Sequence, residues 1–214
     1  MPGSVRGQEM IFLIRIEKTI GMITIKKSIE KVEMVGMPKV EFSGNIVVVD
    51  TLEKANQTIL TLSEESIVGF DTETKPSFRK GVINKIALIQ LSTDNCAYLI
   101  RLNKIGLPDF IVDFLANPDV LKVGLSIKDD FSSLSRRSTI FPESFVELQD
   151  YVQKFGIKEK GLQRIYAILF EEKISKNQQL SNWENETLTE AQKKYASIDA
   201  WACQRIFRYL ESLK

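Results

Sequence analysis

Apolar residues fall along this chain in two rhythms, short continuous runs and longer stripes at helical spacing. Ile46-Val47-Val48-Val49 is a continuous apolar run, the pattern of a short buried strand. Asp50 with Glu53 then has the chemistry of a helix N-terminus, where side-chain oxygens satisfy orphan amides. Leu52, Ala55, Ile59 and Leu62 follow at 3-4-3 spacing and make that helix's apolar stripe. Further strands are predicted over 67–73, 85–91 and 96–100. The last two flank Ser92-Thr93-Asp94-Asn95, a turn composition that pairs them as an antiparallel hairpin. The pattern then predicts helix over 107–115, strand over 121–125, a helix from about Ile127 and a short strand over 145–148.

The remainder reads as mostly helical. Leu162, Ile165, Tyr166 and Leu169 form one amphipathic face. Thr189 with Gln192 matches a capping box. It opens a long helix whose Ala191, Tyr195, Ile198, Ala202, Ile206, Tyr209 and Leu213 keep the 3-4 spacing. A hairpin followed by strands alternating with helices implies one α/β domain over 46–214, a mixed β-sheet flanked by helices. Residues 1–45 read as an N-terminal extension. Within it, 1–21 carry Pro2, Gly3, Gly7 and Gly21 around one apolar cluster, so Met22 is the expected biological start.

Composition narrows the chemistry. Of 214 residues, 43% are hydrophobic and 27% charged, which suits a globular domain with a sizeable core. Lys and Arg number 29 against 28 Asp and Glu, a balance that excludes a polycation and leaves room for local patches. Histidine is absent from the sequence. That excludes Ser-His-Asp and Cys-His nucleophile systems, His-ligated zinc and an imidazole base. Hydrolysis here would rest on carboxylates, lysine, tyrosine or metal-bound water. Cys96 and Cys203 stand far apart without CxxC pairing, as reduced, packed thiols do. No apolar run approaches a membrane span, and Ile11-Phe12-Leu13-Ile14 stops at Arg15, short of a signal-peptide core. A cytoplasmic protein with no membrane partner is expected.

Three acidic segments could carry chemistry. In Ile67-Val68-Gly69-Phe70-Asp71-Thr72-Glu73-Thr74, strand alternation puts Asp71 and Glu73 on one face. Two like charges that close repel and raise each other's pKa unless a cation neutralises them. A hard divalent ion is the chemical reading; a solvent-facing acidic strand end is the plainer one. Tyr195 and Asp199 lie one helical turn apart, with Asp199 adjoining the apolar stripe. Alone, they read as a core aromatic and a surface charge. Gly124-Leu125-Ser126-Ile127-Lys128-Asp129-Asp130-Phe131 is a strand entering a helix, where acids also serve as simple caps.

Taken in order, these segments resemble the DEDDy group of 3′-5′ exonucleases, and most closely the exonuclease domain of the Werner-helicase type. The resemblance runs from about Ile46 to the C-terminus. It includes Lys85-Ile86-Ala87-Leu88-Ile89-Gln90-Leu91, Gly124 ahead of Asp130, and Ser181-Asn182-Trp183. It ends on Leu188-Thr189-x-x-Gln192-x-x-Tyr195-Ala196-x-x-Asp199-Ala200. The sister DEDDh group uses histidine where this chain has Tyr195, and is excluded by composition.

The resemblance implies a ribonuclease H-like fold and a metal-dependent 3′-5′ exonuclease. Asp71, Glu73, Asp130 and Asp199 would hold two divalent ions, Mg²⁺ or Mn²⁺, with Asp71 bridging them. Tyr195 would orient the attacking water, and the product would be a nucleoside 5′-monophosphate. Asp130, not Asp129, is taken as the ligand, because Gly124 and Leu134 then fall at the family's spacing. In the loop after the first acids, Lys75, Arg79 and Lys80 are candidate phosphate contacts and Phe78 a candidate base-stacking ring. The same residues also read as an ordinary solvated basic loop. Trp183 is expected to pack between helices.

One departure stands out. Glu186-Thr187 occupies the place where relatives often carry Arg or Phe followed by Pro, and an acid there would weaken nucleic-acid contact. The chain ends soon after the Asp199 helix, without the helical RNA-binding domain of ribonuclease D, so DNA is favoured over RNA. The expected partner is single-stranded or 3′-recessed DNA, with RNA as the second candidate; oligomeric state stays open. Two other readings remain. One is a catalytically weak exonuclease-like module that only binds nucleic acid; four intact acids argue against it. The other is a HAD-type phosphatase, which wants Asp-x-Asp where this chain has Glu73.

Overall fold

The computed structural model describes residues 24–77, 79, 81 and 84–214. The expected start at Met22 and the segment 1–21 lie outside the described residues, as do Phe78 and Lys80. The first strand, β1 (Asn45–Val49), leads through Thr51 into helix α1 (Leu52–Ser63). Thr51 caps that helix, its hydroxyl accepting from the Lys54 amide at 3.2 Å. Asp50, expected at this cap, instead pairs with the Lys54 ammonium at 2.8 Å. Leu52, at the first helical position, is exposed, while Ala55, Ile59 and Leu62 are buried as expected.

The centre of the sheet is β2 (Ile67–Thr74), β3 (Ile86–Ser92) and β4 (Cys96–Arg101), paired antiparallel in turn. Two short helices follow, α2 (Leu102–Ile105) and α3 (Asp109–Leu115), before β5 (Leu121–Gly124), α4 (Ile127–Leu134) and β6 (Phe145–Glu147). The strand order is β1-β4-β3-β2-β5-β6, with β1, β5 and β6 parallel to their neighbours. This is a mixed six-stranded sheet of the ribonuclease H-like fold. All seven residues of β3 are buried, as expected of a strand covered on both faces. One residue, Ala87, is skipped where Glu73 pairs with Leu88 and Thr74 with Ile86. The bulge bends the strand pair beside Glu73.

One sheet face packs Phe70, Ile89, Leu91 and Ile100 against Ile59 and Leu62 of α1 and Phe114 of α3. The opposite face is covered by the last helix, α7 (Glu190–Glu211), itself backed by α6 (Leu162–Phe170). Between β6 and α6 comes the one-turn helix α5 (Leu148–Tyr151). The Thr189–Gln192 capping box forms as the sequence indicates. Because α7 lies between the sheet and α6, it buries Ala196, Ser197, Asp199, Ala200 and Gln204 besides its predicted stripe, whereas Ala191 is exposed.

Gly69 sets how close α7 comes. A Cβ there would lie 1.8 Å from the Ala200 carbonyl oxygen and 2.6 Å from Ser92 Oγ. Only a residue without a side chain lets the helix backbone rest on β2. Gly69→Ala is expected to destabilise the fold by roughly 1–3 kcal/mol through overpacking, measured by urea unfolding. Unchanged stability would show that α7 can shift freely on the sheet.

Ahead of β1, the chain runs along the α6 side of the molecule. The Val40 amide donates to the Lys173 carbonyl at 3.1 Å, and the Lys173 amide to the Pro38 carbonyl at 2.9 Å. Val40 and Ile29 are buried. Among the described residues, no helix is long and apolar enough to cross a membrane.

Candidate active site

The site forms where the end of β2 meets the middle of α7. Asp71 and Glu73 share the β2 face that looks toward α7, the face on which Gly69 admits Ala200. Asp199, the residue before Ala200, is thereby brought to them. Asp71, Glu73 and Asp199 each present a carboxylate oxygen within 4.8 Å of the others. Asp199 is buried; Asp71 and Glu73 are half-buried.

Asp130 approaches from the other side of the strand. It sits on α4, whose Phe131 ring stacks on Phe70 at 5.8 Å, and it accepts a hydrogen bond from the Thr72 hydroxyl. Asp129, its neighbour, points outward and is exposed. The start of α4 is held by a residue with no motif around it. Glu147, at the end of β6, accepts from the amides of Ser126 at 3.0 Å and Ile127 at 2.8 Å. Ser126 there adopts a left-handed conformation, φ 62° and ψ 32°. The Glu147 carboxylate thus fixes the strained turn that delivers Asp130.

Electrostatics define what this cluster lacks. Burial, then the charges of Asp199, Asp130 and Glu73, hold the Asp71 carboxyl well above the usual range. Glu73 is pushed up to about 9 by burial and by Asp199 and Asp130. Asp130 rises to about 7, chiefly by burial, against the Thr72 hydrogen bond. Asp199 rises to about 7 by burial, opposed by a hydrogen bond from Tyr195 and the nearby charge of Lys176. Asp71, Glu73 and Asp199, gathered with raised pKa values and hard oxygen donors, fit a site for a divalent cation, whereas Asp130 lies outside that group, tied to the Thr72 hydroxyl. Carboxylate oxygens suit Mg²⁺ or Mn²⁺ rather than a soft metal.

Tyr195 lines the same cleft as the acids, one helical turn ahead of Asp199 on α7. Burial and the charges of Asp199, Glu73 and Asp71 raise its pKa far above that of a free phenol. Its ring lies 5.9 Å from that of Trp183, which is fully buried among Leu88, Leu99 and Ala196. Trp183 therefore packs between α7 and strands β3 and β4 rather than between helices as expected, and it backs Tyr195.

A cleft of about 580 Å³ opens over the acids. It is also lined by Lys160, Lys176 and Arg164, the last paired at 3.2 Å with Glu159, which lines the cleft too. No motif marked these cations, since they are scattered in sequence and only the docking of α6 gathers them. Of the loop cations predicted, Lys75 pairs with Glu184 at 3.5 Å, and Arg79 is exposed. The unexpected Glu186 is ion-paired with Lys104, which offsets its charge.

The mixed sheet thus carries a carboxylate cluster where the end of β2 meets the last helix. A profile of the 3′-5′ exonuclease family matches residues 46–213, and the chain belongs to that family. It is 32% identical over 187 residues to the bifunctional 3′-5′ exonuclease/ATP-dependent helicase WRN of Mus musculus. That alignment covers 83% of this chain but 13% of the mouse protein. A 3′-5′ exonuclease of Arabidopsis thaliana is 29% identical, with 82% of this chain and 67% of the relative aligned. Among solved structures, the Aedes aegypti Nibbler EXO domain superposes with a TM-score of 0.73 at 23% identity, covering 81% of this chain and 92% of that one. Escherichia coli RNase D, an exoribonuclease, gives a TM-score of 0.71 at 19% identity over 79% of this chain and 45% of its own.

Proposed function

We propose that this chain removes nucleotides one at a time from the 3′ end of a nucleic acid strand, with DNA favoured over RNA, releasing nucleoside 5′-monophosphates. The observation that carries the reading is the convergence of Asp71, Glu73 and Asp199 within 4.8 Å, on a chain that belongs to this family. The preference for DNA is carried from the sequence reading, and the fold likeness to Escherichia coli RNase D, an exoribonuclease, keeps RNA as the second substrate.

In this reading Asp71, Glu73 and Asp199, with Asp130 reaching in from α4, would hold two divalent cations. Bound there, such ions supply Lewis-acid stabilisation of the charge that builds on the phosphodiester. Tyr195 keeps its proton at neutral pH and so orients the attacking water rather than acting as a base. Lys160, Arg164 and Lys176 neutralise backbone phosphates along the cleft wall. Glu147 positions Asp130 through the turn at Ser126.

Tyr195→Phe is expected to lower kcat roughly 10- to 100-fold while leaving KM and Mn²⁺ affinity near wild type, because it removes one orienting hydrogen bond. Unchanged turnover would remove the orienting role. The reading as a whole is tested with 5′-labelled DNA and RNA oligonucleotides of one sequence, incubated with Mg²⁺ or Mn²⁺ and, separately, with EDTA. A ladder shortening from the 3′ end, faster on DNA and absent in EDTA, is expected. Intact oligonucleotides that still shift on a native gel would make the chain a binding module instead.

A further inference from the structure

Next to the acidic cleft lies a second, smaller one of about 280 Å³. Residues 39–42 form one wall, the loop at 175–178 another, and α7 from 191 to 198 the floor. Ser175 and Tyr195 line both clefts. Tyr195 therefore has the acids on one side and this cleft on the other.

The 39–42 wall lies ahead of the residues matched by the family profile, which begin at 46. It is nonetheless a built part of the molecule. Lys39 pairs with Lys173 as a parallel β-bridge, with the two backbone hydrogen bonds already described. Val40 is buried, and the Phe42 ring packs edge-on against Trp201 with centroids 5.6 Å apart. The bridge ties this wall to the strand of chain that leads into Ser175, so the two sides of the cleft are fixed relative to each other.

The lining chemistry is that of a nucleotide site. The half-buried Phe42 offers apolar surface for a base, backed by the buried Val40 and Ile198, and Asn177 and Gln178 offer amides that both donate and accept. Lys39 and Lys194, both exposed, supply positive charge for a phosphate, of which Glu41 offsets one. The volume suits one nucleotide rather than a duplex.

We infer that this second cleft holds the nucleotide adjoining the one being removed, so that the bound strand runs from residues 39–42 past Tyr195 to the acids. The inference rests on the exonuclease reading above. It assigns to a segment outside the matched domain a part in substrate binding.

Two substrates separate this subsite from the chemistry. Thymidine 5′-p-nitrophenyl phosphate presents a single nucleotide, whereas a 5′-labelled octanucleotide fills both clefts. The doubly substituted Lys39→Glu/Lys194→Glu variant is expected to lose about 10-fold or more in kcat/KM on the octanucleotide, through KM. Hydrolysis of the single-nucleotide ester should stay within about twofold, since neither lysine touches the acids. Phe42→Leu should show the same split with a smaller loss. Because both lysines are exposed, an unchanged melting temperature confirms that folding is not the cause. Equal losses on both substrates, or no loss on the octanucleotide, would overturn the subsite. A wild type that hydrolyses neither substrate would overturn the exonuclease reading instead. Octanucleotide affinity in EDTA then decides the subsite alone: it stands if the lysine variant binds about 10-fold more weakly and falls if affinity is unchanged.

Discussion

Asp71→Asn and Asp199→Asn are each expected to lower nuclease turnover by roughly 10³-fold or more while making the metal-free protein more stable. The first effect follows from the proposed role of both side chains as metal ligands, whose loss exceeds that of a single transition-state hydrogen bond, about 10²–10³-fold. The second follows from the repulsion described above. Asp71 is pushed up by burial and by three other acids, so its ionised form works against the fold. A neutral amide of the same shape removes that charge and keeps the packing of β2 against α7. A rise of about 3 °C in melting temperature in EDTA, near pH 8, is the expected size. Such a gain in stability with loss of activity is the signature of a site built for function rather than for the fold. Circular-dichroism melts and the oligonucleotide ladder measure the two effects on the same samples. Full turnover in either variant, or a lower melting temperature in both, would contradict the assignment.

The metal-free protein is also expected to lose stability as pH rises. Glu73 holds its proton to about 9, and Asp130 and Asp199 hold theirs to about 7. In the unfolded chain such carboxylates titrate near 4. Between pH about 4 and those raised values, the folded state therefore binds more protons than the unfolded state. Stability falls with pH across that window: the penalty is absent below about 4 and complete above about 9. In EDTA the melting temperature should drop by about 5 °C or more from pH 5 to pH 9. Millimolar Mn²⁺ should restore it, and restore more at pH 9 than at pH 5, since ligands must be deprotonated to bind. The Asp71→Asn/Asp199→Asn double variant should flatten the pH dependence. A melting temperature in EDTA that climbs steadily from pH 5 to pH 9 would show that the acids are not mutually repulsive in the fold.

Much of this architecture could be read from local pattern. Strands β2 to β5 announced themselves as apolar runs between turn residues, and the capping box located the start of α7 to the residue. Strand alternation alone put Asp71 and Glu73 on one face. What local pattern could not convey was contact between distant elements. Nothing near Asp199 in sequence indicates that it meets Asp71; that depends on Gly69, far upstream, admitting the Ala200 carbonyl. Glu147 reads as an ordinary acid at a strand end, yet its carboxylate holds two amides of the turn before Asp130. Lys160, Arg164 and Lys176 become one wall only through the docking of α6.

Local pattern also carries no sign of burial where polar side chains find backbone partners. Lys122 looks like an outward position of β5 but is fully buried, its ammonium donating to the Asn117 carbonyl at 2.5 Å and lying 5.1 Å over the Phe145 ring. Arg101 is likewise buried and donates to the Asn185 carbonyl at 2.5 Å, pinning the loop that carries Trp183 and Glu186. Hydropathy periodicity counts such residues as surface because it sees the charge and not the partner. On α7, the 3-4 stripe captured one packed side of a helix that is covered on two. That is why Asp199, beside the stripe, is inside the protein.

The central claim is that four carboxylates from β2, α4 and α7 jointly hold divalent cations. Crystals soaked in Mn²⁺ and measured at the manganese absorption edge test it most directly. Two anomalous peaks are expected among Asp71, Glu73, Asp130 and Asp199, both lost in Asp71→Asn. Manganese found elsewhere on the molecule, with no peak at these side chains, would contradict it.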